Sequence, residues 1–422
     1  MQQATTKLSI IEKIVVIIPI INIITAFSIH ILGRDQFHLG HIRIVLFFGL
    51  IALVIGRYGF KEKATALTSV FLFYVFFLIL YSSDFMYSFT GTYLKVAATM
   101  LMFPVGFYVL NETEKLQIYL KNLAIAAMLL GINYIIAQYF KIGRSAYLAD
   151  SFYYGYAGIG STVILSYFLI SAPLLISKFK TLSGIWFLRI TIFLSVLFTI
   201  IALKRIAILA LAGGFLVFLL KSGEFGRGIK ALIGLSLILV LTTPLYMDIF
   251  SERLEARTTE RNELTQEARY FDMLIAIEDF RTKGLKHALV GTEPFNTPGY
   301  FGRDRQVHVD YANLLIGTGV IGLSLYLLIY LTILSRFNYY YRKIYRFVSF
   351  QNKEDAKQLR IINGVFWGIL IASLIISFSG GLHAIAARGT VFLTLGSLTG
   401  IVYRKLKILQ IQFQAGFYNI RK

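Results

Sequence analysis

Long uncharged apolar stretches constrain the fold of this chain more than any other feature of its sequence. The clearest is residues 64–81, where eighteen consecutive residues carry no charge. A helix of about 18 or more such residues is long enough to cross the ~30 Å hydrocarbon core of a bilayer. Composition agrees, because only 15% of the residues are charged, against about 25% in an ordinary soluble domain. We therefore expect an all-α, polytopic transmembrane helical bundle.

The hydropathy pattern predicts about twelve transmembrane helices. The predicted spans are residues 14–32, 42–55, 64–81, 92–110, 123–140, 156–176, 182–203, 206–220, 231–247, 312–334, 361–378 and 389–403. The first span lacks a small-residue cleavage site, so we expect a retained helix rather than a signal peptide. Cysteine is absent, which excludes disulfides, thiolate metal sites and cysteine nucleophiles.

The seventh and eighth spans are separated by one short charged break. Residues 190–220 carry no charge except at Lys204 and Arg205. A single helix of this length would measure about 46 Å, far more than the hydrocarbon core. Two charges at its middle would also be costly. The sequence therefore predicts a tight hairpin with Lys204 and Arg205 at its tip.

The distribution of basic residues predicts the orientation in the membrane. The chain has a net charge of +20, which in a soluble protein would suggest nucleic acid binding. Twelve of its cations follow the tenth and twelfth spans, namely Arg336, Arg342, Lys343, Arg346, Lys353, Lys357, Arg360, Arg404, Lys405, Lys407, Arg421 and Lys422. Residues 248–310 instead carry nine Lys and Arg against twelve Asp and Glu. The positive-inside rule then places both termini in the cytoplasm and this segment outside.

Three regions follow from this topology. Residues 1–247 hold helices one to nine, residues 248–311 form a large periplasmic loop, and residues 312–422 hold the last three helices and a cytoplasmic tail. Within the loop, apolar residues recur every three to four positions between 262 and 281. This spacing predicts an amphipathic helix on the membrane surface or over a cavity. The three Gly and two Pro of residues 291–302 predict an irregular turn.

Arginines at the predicted outer face are the first candidates for chemistry. For Arg205 at the hairpin tip and Arg388 at the start of the last span, snorkelling at the membrane interface is the ordinary explanation. Arg269 on the loop helix is explained by a surface ion pair. The functional alternative is an anion site, since a guanidinium matches phosphate oxygens and lipid phosphates lie at this depth.

A histidine motif gives the most specific pattern in the chain. His308 is followed by Asp310, Asn313 and the pair Gly319 and Gly322. A histidine at a wet membrane edge suits general base catalysis or phosphate binding. This order resembles the O-antigen ligase and O-antigen polymerase superfamily of bacterial membrane glycosyltransferases, in which a loop histidine precedes a Gly-x-x-Gly that opens the next helix.

Other residues extend the resemblance over roughly residues 185–400. Arg269 precedes a glycine turn at residues 290–292, Arg205 lies at a hairpin tip, and Arg388 lies in an Ala-Arg-Gly sequence, each similar to the family pattern. Two positions depart from it. Val309 stands where the family commonly has Asn, and Lys204 where it often has Ser or Thr. These departures weaken the assignment to a subclass and leave the resemblance to the superfamily unchanged.

The resemblance implies a metal-independent, inverting glycosyltransferase of the bacterial inner membrane, without a cofactor. Its substrate would be an oligosaccharide on undecaprenyl diphosphate, and its partners the lipid bilayer, a chain-length regulator and a flippase, but no nucleic acid. The resemblance implies that His308 and Arg269 carry catalysis. It implies diphosphate binding by Arg205, Lys204 and Arg388, and a supporting role for Asp310 and Asn313.

Three functions remain open at this point. A polymerase would join lipid-linked repeat units into O-antigen or a related surface polysaccharide, and is the commoner kind of member. A ligase would transfer the glycan to lipid A-core or another acceptor. A transporter or flippase for the same glycans would also have about twelve helices, but it would not need a 63-residue loop and commonly shows repeated halves, which the sequence lacks.

Overall fold

The regular structure of the chain is helical throughout the residues that the computed structural model describes. These are residues 8–32, 39–143, 153–157, 159–202, 204–223, 268–296, 307, 309–382 and 384–414, with scattered positions between 226 and 255. The helices are α1 Ile10–Leu32, α2 Leu39–Tyr58, α3 Lys63–Ile79, α4 Leu94–Met100, α5 Met102–Val109, α6 Thr113–Phe140, α7 Thr162–Ser171, α8 Leu182–Ile201, α9 Arg205–Ser222, α10 Ala268–Thr282, α11 Leu285–Val290, α12 Asp310–Gln351, α13 Lys353–Ile376 and α14 Ile385–Gln414. A π-helical turn, Tyr87–Tyr93, leads directly into α4.

The chain is a multi-pass membrane protein. Among the described residues, nine helical segments are long and apolar enough to cross a membrane, and two shorter apolar helices accompany them at Lys63–Ile79 and Thr162–Leu174. These eleven segments coincide with eleven of the twelve predicted spans. The ninth predicted span, residues 231–247, lies almost entirely outside the described residues.

The predicted hairpin between the seventh and eighth spans is confirmed. Helix α8 ends at Ile201, α9 begins at Arg205, and Lys204 between them has non-helical backbone angles (φ −79°, ψ 89°). Helix α9 then packs antiparallel to α13. The Asn363 side-chain amide, in the first half of α13, donates to the Lys221 carbonyl near the end of α9 (3.1 Å), and a side chain at Gly213, nearer the start of α9, would come within 2.7 Å of Ile375 at the end of α13. The tip with Arg205 therefore lies at the same end of the bundle as the end of α13.

The bundle has two chemically different ends. At one end, which we call the Arg404 end, Arg404 pairs with Glu112 and Arg336 approaches Glu62 (4.0 Å). At the other, the Asp310 end, the start of α12 meets the connection between α13 and α14 through a hydrogen bond from the Leu382 amide to Asp310 (2.9 Å). The predicted cytoplasmic cations Arg336 and Arg404 thus lie at the end opposite to Asp310, as the predicted topology requires.

The tenth predicted span is too short. We expected it to end at residue 334 and a basic loop to follow, but α12 continues as a helix to Gln351. The charged residues after 334 mark where the helix leaves the hydrocarbon, and they do not end it. Its extension is held to α13, because the ring of Phe337 stacks on that of Phe366.

Helix α14 forms the centre of the bundle. Its apolar stretch is 94% buried, and α5 packs closely along it. A side chain at Gly396 of α14 would come within 2.1 Å of the Phe103 carbonyl oxygen, so this close approach requires glycine, as small residues commonly do between membrane helices. Arg388 lies in the first turn of this buried helix.

Candidate active site at the Asp310 end

A buried ion pair occupies the Asp310 end. The Arg388 Nη2 donates to Asp310 Oδ2, and their side chains are only 2% and 4% exposed. The second carboxylate oxygen of Asp310 accepts from the Leu382 amide (2.9 Å). Ionisable groups inside membrane proteins are costly and commonly mark functional sites. This pair is therefore the first feature of the candidate site.

Two serines, Ser373 of α13 and Ser377 directly after it, also accept hydrogen bonds from the Arg388 guanidinium. Its Nη1 donates to Ser373 Oγ (3.1 Å) and to the Ser373 carbonyl (3.3 Å), while Nη2 also donates to Ser377 Oγ (2.9 Å). The hydroxyls of Tyr330 and Tyr326 on α12 in turn contact the hydroxyls of Ser373 (3.1 Å) and Ser377 (3.5 Å). The pair thus belongs to a buried polar network that joins α12, α13 and α14.

This network changes the interpretation of Arg388. A snorkelling anchor would hold its charge at the membrane surface, so that explanation is wrong for a side chain that is 2% exposed. Binding of a substrate diphosphate by Arg388 stays a prediction. Because Asp310 already occupies the guanidinium, the geometry favours a positioning role in which Arg388 fixes the first turn of α12.

A kink in α12 provides the second feature of the site. At Gly319 the backbone is left-handed (φ 63°, ψ −170°), which interrupts the helical hydrogen-bond ladder. Two nearby carbonyls find partners outside the helix. The Ile316 carbonyl accepts from the Thr292 amide of the loop (2.9 Å), and the Thr318 carbonyl accepts from the Tyr74 hydroxyl of α3 (2.9 Å). The kink is therefore a junction at which the loop and α3 satisfy two carbonyls of α12.

Glycine is required on both sides of this junction. A side chain on Gly319 would come within 2.3 Å of the Leu289 carbonyl, and one on Gly291 within 2.5 Å of the Gly319 amide nitrogen. The resemblance implied that Gly319 and Gly322 open the helix after the loop. In the structure a short helical segment that begins at Asp310 precedes the two glycines, and Gly319 lies at the kink where this segment meets the long remainder of α12.

Glu293 ties the loop to the segment that follows α3. Its carboxylate accepts from the Ser82 hydroxyl (2.7 Å), the Ser83 amide (3.0 Å) and the Asn296 side-chain amide (2.7 Å). Burial raises the pKa of Glu293, but these hydrogen bonds to the charged form outweigh it and leave the pKa below its ordinary value. Part of the irregular turn predicted for residues 291–302 is thereby confirmed and fixed in place.

The remaining predicted residues are only partly described. Lys204 is half-buried and Arg205 is exposed at the hairpin tip, at the Asp310 end. Arg269 lies in the first turn of α10, so a helix is confirmed over 268–282. The start of the predicted amphipathic helix, residues 262–267, lies outside the described residues. Asn313 lies in the first turn of α12, and its backbone N–H donates to the Val309 carbonyl (2.9 Å).

His308 lies outside the described residues. Its neighbours Val307 and Val309 are buried and pack with Ala276 of α10 and Ile316 of α12. Val307 and Val309 therefore pack between the loop helix and the first part of α12. The roles predicted for His308 stay predictions, and so does metal-independent chemistry. Within the described ranges, no three His, Asp or Glu side chains gather to hold a metal ion.

Sequence reasoning missed the serines and tyrosines around Arg388. A signal for them exists in the chain. Tyr326 and Tyr330 are four residues apart, as are Ser373 and Ser377, so each pair lies on one face of its helix. Paired hydroxyls within an apolar span indicate a buried polar partner.

Comparisons with known proteins add no family assignment. The sequence matches no protein-family profile and no curated protein. The chemistry of the site is therefore inferred from its residues.

Proposed function

We propose that the protein is a membrane glycosyltransferase that polymerises oligosaccharide repeat units carried on undecaprenyl diphosphate. The observation that carries this proposal is the convergence of features at the Asp310 end. Arg205 at the hairpin tip, the loop turn held by Glu293 and the buried Asp310–Arg388 pair all lie at this end. By the predicted topology, it is the periplasmic end, where lipid-linked glycans are presented.

Arginine suits the leaving group of this reaction. The bond between the anomeric carbon and the diphosphate oxygen breaks, and a bond to an acceptor hydroxyl oxygen forms with inversion. Negative charge builds on the departing diphosphate, and fixed cations at the membrane edge stabilise it. Arg205 is exposed and has the planar fork that binds phosphate oxygens. We assign it to the diphosphate with Lys204, and Arg269 to the reacting centre.

The acceptor hydroxyl must lose a proton as it attacks. We propose His308 as the base that accepts this proton, since a neutral imidazole is matched to this task near pH 7. Asp310, two residues later, is fixed by Arg388 and by the Leu382 amide. The ion pair thus acts as a positioning device for the chain segment that carries the base, with Asn313 in the same first turn of α12.

The anchored loop favours an enzyme over a transporter. Loop residues 289–296 make backbone contacts with the kink of α12 and hydrogen bonds with Ser82 and Ser83. This arrangement supports a fixed catalytic surface at one end. A ligase would use the same donor chemistry with a different acceptor and is the second candidate.

The proposal is tested with purified protein in lipid vesicles and an undecaprenyl-diphosphate-linked repeat unit. A polymerase converts the unit into a ladder of longer glycans on the same lipid and releases undecaprenyl diphosphate. Transfer only after lipid A-core is added would identify a ligase. Movement of unaltered substrate between leaflets, without any new glycosidic bond, would contradict the proposal and favour a flippase.

A further inference from the structure

The loop helix α10 has one face packed on the protein. Asp272 and Ala276 are buried and Met273 is half-buried, and the cluster around Ala276 includes Ala312 and Ile316 of α12. Helix α10 therefore lies against the first turns of a membrane-spanning helix, at the depth where that helix begins.

A second apolar surface on α10 is left uncovered. Four large side chains are between 40% and 51% exposed, namely Tyr270, Leu274, Ile277 and Phe280. At 3.6 residues per turn they fall on one flank, beside the buried face. Leu285 and Leu289 of α11 are also exposed. We call these six residues the apolar flank.

The flank of α10 that borders Leu274 is polar. Glu278 and Thr282 are exposed there, about 100° and 140° around the helix from Ile277. The two uncovered flanks thus differ in chemistry, and the helix has a buried side, an apolar side and a water-compatible side. A loop helix standing free in water would gain nothing from the apolar side.

Cations border the apolar flank. Arg281 lies within its angular range on α10, and Lys286 lies between Leu285 and Leu289 in sequence; both are exposed. Lys283 nearby pairs with Asp279 (3.2 Å). Long basic side chains can lay their methylenes along apolar surface and reach phosphate groups at the membrane interface.

We propose that the apolar flank lies in the boundary between headgroups and acyl chains of the bilayer, with anionic phospholipid headgroups bound by Arg281 and Lys286. The pairing of an apolar strip with bordering cations is that of an interfacial helix. A symmetric contact between two copies would instead bring these cations together in one interface. This inference concerns the anchoring of the loop and does not depend on the glycosyltransferase proposal.

The absence of cysteine in the chain allows a direct depth measurement. Single variants Ile277→Cys and Phe280→Cys are spin-labelled in full-length protein in phosphatidylcholine–phosphatidylglycerol vesicles. Glu278→Cys and Thr282→Cys are the matched controls on the polar flank. We expect labels at 277 and 280 to collide mainly with oxygen, which concentrates in lipid, and labels at 278 and 282 mainly with a water-soluble nickel chelate.

Two outcomes would overturn the proposal. Equal exposure of all four labels to the chelate would place the helix in water. Shielding of 277 and 280 from both reagents, with dipolar broadening between labels, would identify a second copy as the occupant.

The charge requirement is tested by lipid composition. A polarity-sensitive fluorophore on Ile277→Cys should shift its emission further to the blue when phosphatidylglycerol replaces part of the phosphatidylcholine. The added variant Arg281→Gln/Lys286→Gln should lose this dependence on phosphatidylglycerol. If the shift is independent of lipid charge, or persists unchanged without the two cations, anionic headgroup binding is excluded.

Discussion

Asp310 and Arg388 lie 78 positions apart in the chain and form a buried ion pair at one end of the bundle. The carboxylate is in the first turn of α12 and the guanidinium in the first turn of α14. The pair also makes hydrogen bonds with Ser373, Ser377 and the Leu382 amide. The position of the segment that enters α12 therefore depends on a charge carried by the last membrane helix.

Removing one member of this pair should destabilise the protein more than removing both charges. Asp310→Asn or Arg388→Gln alone leaves one buried charge without its partner, at a cost of about 3–5 kcal/mol. The double variant leaves no uncompensated charge and keeps an oxygen for the Leu382 amide. The measurement is unfolding stability in detergent. Additive losses in the double variant would show that the two charges do not interact.

Gly319→Ala should loosen the loop from α12. The alanine methyl would lie within 2.3 Å of the Leu289 carbonyl, at a residue with φ 63°, and such strain costs about 1–3 kcal/mol or more. We expect faster proteolysis of the loop and a lower unfolding midpoint. Gly49→Ala is the control, since nothing lies within 4 Å of its added methyl. Equal behaviour of the two variants would refute the docking role of Gly319.

The Glu293 contacts should be lost at acid pH. Because its folded pKa lies below the ordinary value of 4.5, its contribution is fully present above pH 4.5 and disappears as pH falls through the folded pKa. Glu293→Gln removes the charge at every pH. The difference in unfolding midpoint between wild type and this variant should therefore shrink on acidification. A difference that is constant, or that grows toward low pH, would contradict the assignment.

The charged and apolar pattern predicted most of the helices but not their contacts. The hairpin at Lys204 was predictable because a single span of that length cannot fit the bilayer. The extension of α12 beyond residue 334 was not predictable from hydropathy. Outside the membrane a helix needs apolar residues only where it packs on the protein, so it does not appear as an apolar span. The partner of Arg388 was also hidden, because a contact across 78 residues leaves no local pattern in a single sequence.

The glycine motif shows a different limit. The resemblance predicted a helix start at this motif, yet the pattern could not show that a short helical segment precedes it and meets it at a kink. The distinction arises from the approach of Gly291 and Leu289 to Gly319, which is a tertiary contact. Only the loop segment 289–296, packed against α12, reveals why the side chain must be absent there.

The predicted topology can be checked with single cysteines. Thr297→Cys, in the loop, should react with a membrane-impermeant thiol reagent in intact cells. Lys353→Cys at the start of α13, at the Arg404 end, should react only after lysis. The chain has no cysteine of its own, so labelling reports one site at a time. The reverse pattern would invert the topology and remove the loop from the periplasm.

The central claim is tested most directly by the rate of glycan transfer with His308→Ala, purified and supplied with undecaprenyl-diphosphate-linked repeat units. Loss of a general base typically slows a reaction by about 10²–10⁴-fold, so we expect transfer to fall by this order while the substrate still binds. The control is His287→Ala, a histidine of α11 whose ring contacts Thr292 (3.2 Å), and it should keep the wild-type rate. Wild-type turnover by His308→Ala would contradict the catalytic account.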